Sequence, residues 1–331
     1  MSRVIVAEAL PAEREAVLNV LLRAIPPDER TGRVAQLLEQ MACGTIAPLT
    51  LLVARTLDGA ILGSAIAQPL PGAGAVVWPP QLVGADDQAT VEDALLNAIV
   101  DGLRRGGTKL AQAFLAFDAP AAALERHGFR RVTEVWYLRR DLRTPPQSGD
   151  ARNTAEADPN SDRLEWYVPP SPFRKGGGGL SRRFNLISYE NCNPGAFQQT
   201  LMHTYTGSLD APELNGVRTA DETIASLQAG APDLERWWLA ESDGRPVGVL
   251  LLADGLDAQA WEISYVGVVP EARGKGIGQA ILERAIDFAT SAGRTALTLI
   301  VDARNRPALA LYNALGFRKY ETRQVYLRIG L

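Results

Sequence analysis

The sequence predicts an α/β chain made of two copies of one unit, and three observations carry that prediction. First, short strings recur in the same order at nearly one offset. Leu124-Glu-Arg-His-Gly128-Phe129-Arg130, then Trp136-Tyr137-Leu138-Arg139, returns as Tyr312-Asn-Ala-Leu-Gly316-Phe317-Arg318, then Val325-Tyr326-Leu327-Arg328. Upstream, Asp58-Gly59 returns as Asp243-Gly244, so Gly-Phe-Arg, Tyr-Leu-Arg and Asp-Gly all move along the chain by almost the same distance. Repetition at a fixed period marks a duplicated supersecondary unit. Second, 143–183 is dense in proline, glycine and small polar residues, with Pro169-Pro170-Ser-Pro172 and Gly176–Gly179. Such composition buries too little apolar surface to offset ordering entropy and reads as a linker between 1–142 and 184–331. Third, helix-like and strand-like stretches follow the same order in both halves.

In the first half, Ala12–Leu22 and Arg33–Met41 read as helices. Thr50–Ala54 and Ala60–Gln68 read as a hairpin across Asp58-Gly59. Val91–Arg105 has helical apolar spacing, Leu110–Ala116 is a short apolar run, and Pro120–Arg126 is a short helix stopped at Gly128. Leu164–Val168 is a short strand inside the linker. In the second half, Asn185–Ser188 is a strand, and Gly195–Thr204 and Ala220–Leu227 are helices. Trp237–Glu241 and Val247–Ala253 form a hairpin across Asp243-Gly244, followed by the β-rich Trp261–Val269. Gly278–Ala292 is an amphipathic helix, and Thr295–Val301 is apolar on both faces, as in a fully buried strand. Pro307–Leu315 is a helix with proline in its first turn and Gly316 past its end; Val325–Arg328 is the last strand.

The 331 residues suit two domains of about 100–200 residues each. A net charge of −4 provides no overall basic field for nucleic acid or an anionic membrane. Two cysteines (Cys43, Cys192) and two histidines (His127, His203) encode neither a disulfide framework nor a zinc site, so no metal is expected. No apolar run has the length of a membrane span, and Met1–Glu8 lacks an export signal's apolar stretch. The expectation is a cytoplasmic monomer or homodimer.

The chemistry concentrates in Val266-Gly267-Val268-Val-Pro270-Glu-Ala-Arg273-Gly274-Lys275-Gly276-Ile277-Gly278-Gln279. A strand runs into a glycine-dense turn, and a helix follows. Glycine lets the backbone approach a ligand, and the free amides of a helix's first turn favour phosphate. Neither nucleotide motif fits: the G-x-x-x-x-G-K-[ST] string is missing, and Gly274, Gly276 and Gly278 give G-x-G-x-G rather than G-x-G-x-x-G. Arg273-x-x-Gly276-x-Gly278 resembles the R/Q-x-x-G-x-G/A signature of the GNAT N-acyltransferases. Asn305, Tyr312 and Gly316-Phe317 are similar to that family's second signature, so the resemblance covers 183–331.

The resemblance implies two tandem GNAT-type domains, each a mixed, mostly antiparallel sheet flanked by helices, with acetyl-CoA as co-substrate. Amides of Gly274, Lys275, Gly276, Ile277 and Gly278 would bind the pyrophosphate, flanked by Arg273 and Gln279. Val266, Gly267 and Val268 would pair with the pantetheine arm, the Val268 amide would face the thioester carbonyl, Asn305 would hold the arm, and Tyr312 would protonate the departing thiolate. Glu262, on the strand Glu262-Ile-Ser-Tyr-Val-Gly-Val268, would be the base, and strict alternation places it on one face with Ser264, Val266 and Val268. A tyrosine at helical spacing also suits plain packing, and a glutamate at a strand end also suits solvent. Asp210 and Glu213 lie where family members line an acceptor pocket and would hold a cationic amine.

The first half departs from this pattern. Around Gly84 it carries Pro79-Pro80 and Asp86-Asp87, and the positions that the Gly-Phe-Arg offset matches to Asn305 and Tyr312 are Phe117 and Leu124. Residues 1–142 therefore read as a degenerate copy that helps shape the acceptor groove. The expected reaction is acetyl transfer to a primary amine of a small molecule or peptide, with neither nucleic acid nor membrane as partner. A degenerate copy fused to an intact one also resembles mycothiol synthase, which acetylates a cysteinyl amino-sugar. A non-catalytic acyl-CoA-binding module is the alternative of another class.

Overall fold

The computed structural model describes residues 4–43, 49–84, 87–143, 164–167, 183–255 and 257–331. The linker segments around the two proline and glycine clusters, with Arg174 and Lys175, lie outside these residues, as do Ala85 and Asp86. The chain divides into two compact units: 1–133 with 216–222 and 323–331, and 134–215 with 223–322.

The first unit begins with β1 (Ile5–Glu8), α1 (Arg14–Leu21), α2 (Pro27–Cys43), β2 (Thr50–Arg55), β3 (Ile61–Leu70) and β4 (Gly74–Leu82). It continues through α3 (Gln88–Arg105), β5 (Leu110–Leu115), α4 (Ala122–Arg126) and the start of β6 (Arg130–Asp141). Helix α2 starts well before its apolar periodicity does, because Pro27 suits a first turn and Asp28 and Glu29 complement its dipole. Strand β4 was not expected, since prolines rarely sit inside strands. It tolerates Pro79-Pro80 because pairing with β3 skips there, from Ser64↔Gln81 to Ile66↔Trp78. The core packs Leu95, Leu96, Ile99 and Leu103 of α3 with Leu124 and Phe129.

The second unit takes most of β6, then β7 (Leu164–Tyr167), β8 (Arg183–Ser188), α5 (Pro194–Thr204), α6 (Ala220–Gly230), β9 (Trp237–Ser242) and β10 (Arg245–Asp254). After these come β11 (Ala260–Val268), α7 (Ile277–Ser291), β12 (Ala296–Asp302), α8 (Arg306–Ala314) and the start of β13 (Arg318–Ile329), whose remainder from Arg323 belongs to the first unit. On one side of its sheet, Ile281, Leu282, Ala285 and Ala289 of α7 pack on Leu250, Ile263, Leu297 and Leu299. On the other, Phe197 and Leu201 of α5 pack on Trp237, Val249 and Leu251.

Strand pairing repeats along with the sequence strings. Parallel β4 and β5 register Gly74↔Leu110 through Val76↔Gln112, and parallel β11 and β12 register Ala260↔Ala296 through Glu262↔Thr298. One common shift carries Gly74 onto Ala260 and Leu110 onto Ala296, so both strands and their register recur together. The last strands are exchanged. β6, which ends the first sequence copy, pairs with β12 from Ala296↔Asp141 to Asp302↔Val135 in the second unit. β13, which ends the second copy, pairs with β5 from Leu110↔Ile329 to Leu115↔Gln324 in the first unit. Each compact unit thus carries the closing strand of the other sequence copy.

Two glycines permit a close approach next to the site. A Cβ on Gly248 would stand 2.5 Å from the Gly267 carbonyl oxygen, and one on Gly267 would stand 2.6 Å from Thr204 Oγ1 at the end of α5. Gly248→Ala is expected to destabilise the protein by about 1–3 kcal/mol, because backbone must move to admit the methyl. Denaturant unfolding reads this; an unchanged midpoint would show that β10 and β11 separate freely.

Candidate active site

The site forms where β11 leaves β12. Their pairing ends at Ile263↔Leu299, whereas β11 stays on β10 through Val268. The Val269 amide donates to the Val247 carbonyl at 2.9 Å. Amide direction alternates along an antiparallel strand, so the amides of Val266 and Val268 point away from β10, into the opening. On that side the Val268 carbonyl accepts from Arg273 Nε at 3.0 Å.

The following turn needs glycine: φ is +68° at Gly274 and +85° at Gly276. Gly276 caps α7 without a side-chain hydrogen bond, and the helix's own bonding begins with Ala280 N–H to Gly276 O at 3.1 Å. The amides of Ile277, Gly278 and Gln279 are therefore first-turn donors at the positive end of the dipole. Gly278 and Gln279 border a cavity of about 510 Å³, lined also by Val268, Gly274 and Gly276 of the turn and by Asn305, Ala308 and Leu311. A Cβ on Gly278 would stand 3.5 Å from Leu311 and 3.8 Å from Val268, on the cavity floor. Clustered amides, a helix N-terminus and a neighbouring guanidinium suit a diphosphate.

The predicted residues differ in what they present. The Ile277 side chain is buried in the core and the Lys275 ammonium donates to the Glu271 carbonyl, so these two offer the turn their main chain. Gln279 donates to Glu283 at 2.9 Å along the helix. Besides Val268, Arg273 donates to the carbonyls of Gly207 at 3.1 Å and Thr204 at 2.8 Å, tying the end of α5 to the turn. Asn305 caps α8, its Oδ1 accepting from the Ala308 amide at 3.3 Å. Its NH2 has no protein partner among the described residues, and Asn305 lines the cavity. Tyr312 is buried, edge-on to Phe317 with centroids 5.8 Å apart. Burial, aided by the Asp210 charge, pushes its phenol well above the usual value, so it stays protonated.

The acetyltransferase (GNAT) family profile matches residues 201–317. A mycothiol acetyltransferase of Beutenbergia cavernae is 32% identical over 248 residues, 69% of this chain and 75% of that one. The chain belongs to the GNAT family of acetyltransferases. A mycothiol acetyltransferase of Thermobispora bispora is 28% identical over 244 residues, 71% of this chain and 70% of that one. A GNAT structure from Sphaerobacter thermophilus superposes with a TM-score of 0.60 at 18% identity, covering 98% of this chain and 95% of that one, a likeness of fold.

In this acetyltransferase two sequence expectations need correction. Strict alternation along β11 fails at a bulge: β10 pairs Leu251 with Tyr265 but the adjacent Leu252 with Ile263, leaving Ser264 as the extra residue. Glu262 therefore shares the face of Tyr265 and Gly267, opposite Val266 and Val268. Glu213 is not a free acid for an amine. Arg304 holds its carboxylate with two bonds, 2.6 and 2.9 Å, and keeps it below the usual range.

Sequence reasoning passed over Asp302 and Arg304, which organise the loop after α5. Asp210 Oδ1 accepts from the Asp302 amide at 2.8 Å, and Asp302 Oδ2 accepts from the Ala211 amide at 3.2 Å. Arg304 donates to the same Asp302 oxygen at 2.7 Å, and Asp302 is 1% exposed. Burial, against the amide bond from Asp302, raises the Asp210 carboxyl above the ordinary range. The sequence shows only an aspartate and an arginine two residues apart after an apolar run; their partners lie far earlier in the chain. No helix among the described residues is long and apolar enough to cross a membrane. No group of three His, Cys, Asp or Glu among them is placed to hold a metal ion.

Proposed function

We propose that this enzyme transfers the acetyl group of acetyl-CoA directly to a primary amine, with both substrates held together. The observation that carries the reading is the cavity joining the α7 amides, Asn305 and the open edge of β11. The Gly274–Gly278 main chain and the Gln279 amide hold the pyrophosphate, with the Arg273 charge beside them. The edge at Val266–Val268 pairs with the pantetheine arm as an added strand, and the Asn305 NH2 donates to it. When bound, the thioester supplies an activated acetyl group.

Two outward amides are in position to stabilise negative charge on the acetyl oxygen. At about 3.3 Å per residue, Val268 lies about 20 Å along the strand from Glu262 and Val266 about 13 Å. Val268, which lines the cavity, faces the acetyl oxygen; Val266 is the outward amide nearer Glu262, whose carboxylate reaches the amine through water. Glu262 takes the amine's proton by that route, and Tyr312 protonates the leaving sulfur. Asp210 stands on the Tyr312 side, its carboxylate oriented by the Asp302 amide.

Similarity to mycothiol acetyltransferases puts a cysteinyl amino-sugar first among acceptors. A thiol-release screen with acetyl-CoA against amino sugars, polyamines, aminoglycosides and peptides tests the reading. Release with one acceptor class is expected. Failure of every amine and acyl donor while CoA still binds would leave a non-catalytic acyl-CoA-binding module.

A further inference from the structure

We propose that the C-terminal end of α5 holds the open edge of β11 in the shape that receives the thioester carbonyl, with Thr204 and Arg273 as the positioning residues. The inference rests on the acetyl-transfer reading for that carbonyl, and it gives Arg273 a task besides the diphosphate.

The edge is pressed from one face. Gly267 lies between the two residues whose amides point into the opening, and a Cβ there would stand 2.6 Å from Thr204 Oγ1 and 2.9 Å from Tyr265 Cε1. Any side chain at this point would lift the strand off α5. Thr204 is buried, and its hydroxyl donates to the Leu201 carbonyl at 2.6 Å, which engages its one proton. The Tyr265 hydroxyl, 2.7 Å away, therefore donates to Thr204 Oγ1. Burial pushes that phenol well above its usual value, so it stays a donor. Tyr265 directly follows the bulge at Ser264, so this bond fixes where the regular strand resumes and hence which amides face outward. The Tyr205 ring packs on Tyr265 with centroids 5.3 Å apart.

The edge is also tied at its far end. The guanidinium that donates to the Val268 carbonyl at 3.0 Å donates to the carbonyls of Thr204 at 2.8 Å and Gly207 at 3.1 Å. Helix α5 ends at Thr204, so these carbonyls lie at the negative end of its dipole, where an arginine is favoured. In an antiparallel strand a residue's amide and carbonyl point to the same side. The bond to the Val268 carbonyl thus fixes the residue whose amide faces the acetyl oxygen. Three of the five guanidinium N–H groups are engaged by main chain, and two remain for the diphosphate. Thr204 joins the two ties: its hydroxyl holds the strand before the outward amides, and its carbonyl takes the arginine after them. Every residue named belongs to the second unit.

The test uses the full chain and acetyl-CoA labelled at the thioester carbonyl, read by isotope-edited infrared difference spectra beside calorimetry with CoA. A donor facing the carbonyl lowers its stretching frequency, so the parent should show a downshift on binding. Thr204→Val and Arg273→Lys are each expected to lose about half of that downshift or more and to lower kcat about tenfold, the effect of a small misplacement. CoA affinity should stay within about threefold, because lysine keeps the charge but cannot make the fork. Tyr265→Phe breaks the same bond as Thr204→Val from the other side, serves where the valine variant fails to fold, and should add nothing to it in the double variant. Thr204→Ser keeps the oxygen and should match the parent. A full downshift in Thr204→Val and Arg273→Lys, or no downshift in a parent that binds CoA, overturns the proposal. So does a serine variant as impaired as the valine one. Arg273→Lys with CoA affinity weakened tenfold and the downshift intact would make Arg273 a diphosphate ligand alone. No heat with CoA instead overturns the acetyl-transfer reading on which the proposal stands.

Discussion

Replacing Tyr312 by phenylalanine is expected to lower kcat by about 10²–10³-fold, within the range of a lost general acid, while CoA affinity stays within about twofold. The phenol lies in the helix that walls the cavity, and its hydroxyl has no hydrogen-bond partner among the described residues. A hydroxyl that makes no bond within the protein does not hold the fold, so its removal should leave the unfolding midpoint nearly unchanged. This combination separates catalysis from packing. A structural tyrosine predicts retained turnover, and a non-catalytic CoA binder predicts no turnover to lose. Steady-state rates with calorimetry on the same samples decide between them.

The second large effect is expected at Glu262. Glu262→Gln should lower kcat/KM by about 10²-fold, because glutamine cannot take the amine's proton. The pH profile carries the sharper signature. Burial raises this carboxyl above the usual glutamate range, so the parent's activity should fall as pH drops through that raised value. The variant should lack this acidic limb. Stability runs the other way. A carboxyl whose folded pKa exceeds its unfolded pKa contributes most below the unfolded value, and that contribution is lost as pH rises through the folded value. Glu262→Gln should therefore unfold at a higher temperature than the parent at neutral pH, and the difference should vanish in acid. An unchanged acidic limb with unchanged stability would make Glu262 an ordinary surface acid.

The cradle was legible because its signals are local. Gly274 and Gly276 occupy positive φ, and the helix after them starts where the apolar periodicity starts. The duplication was legible from turns and Gly-Phe-Arg strings, and the parallel pairs β4–β5 and β11–β12 repeat at one common shift. What escaped notice is non-local. A bulge at Ser264 reverses the face of Glu262, and no run of alternating residues announces it. Strand β4 was hidden by Pro79-Pro80, which pairing accommodates only where the register skips. The exchange of β6 and β13 leaves no mark in composition, because either strand suits either partner by pattern alone. The roles of Asp302 and Arg304 depend on a loop far earlier in the chain, so their pairing with Asp210 and Glu213 appears only in the folded chain.

The most direct measurement is calorimetric titration of the full chain with CoA, with pantetheine, which lacks the diphosphate, as the parallel ligand. Amides at the start of α7 gripping the diphosphate predict saturable heat for CoA and at least tenfold weaker binding for pantetheine. Equal affinity for the two, or no heat with CoA, would contradict the account.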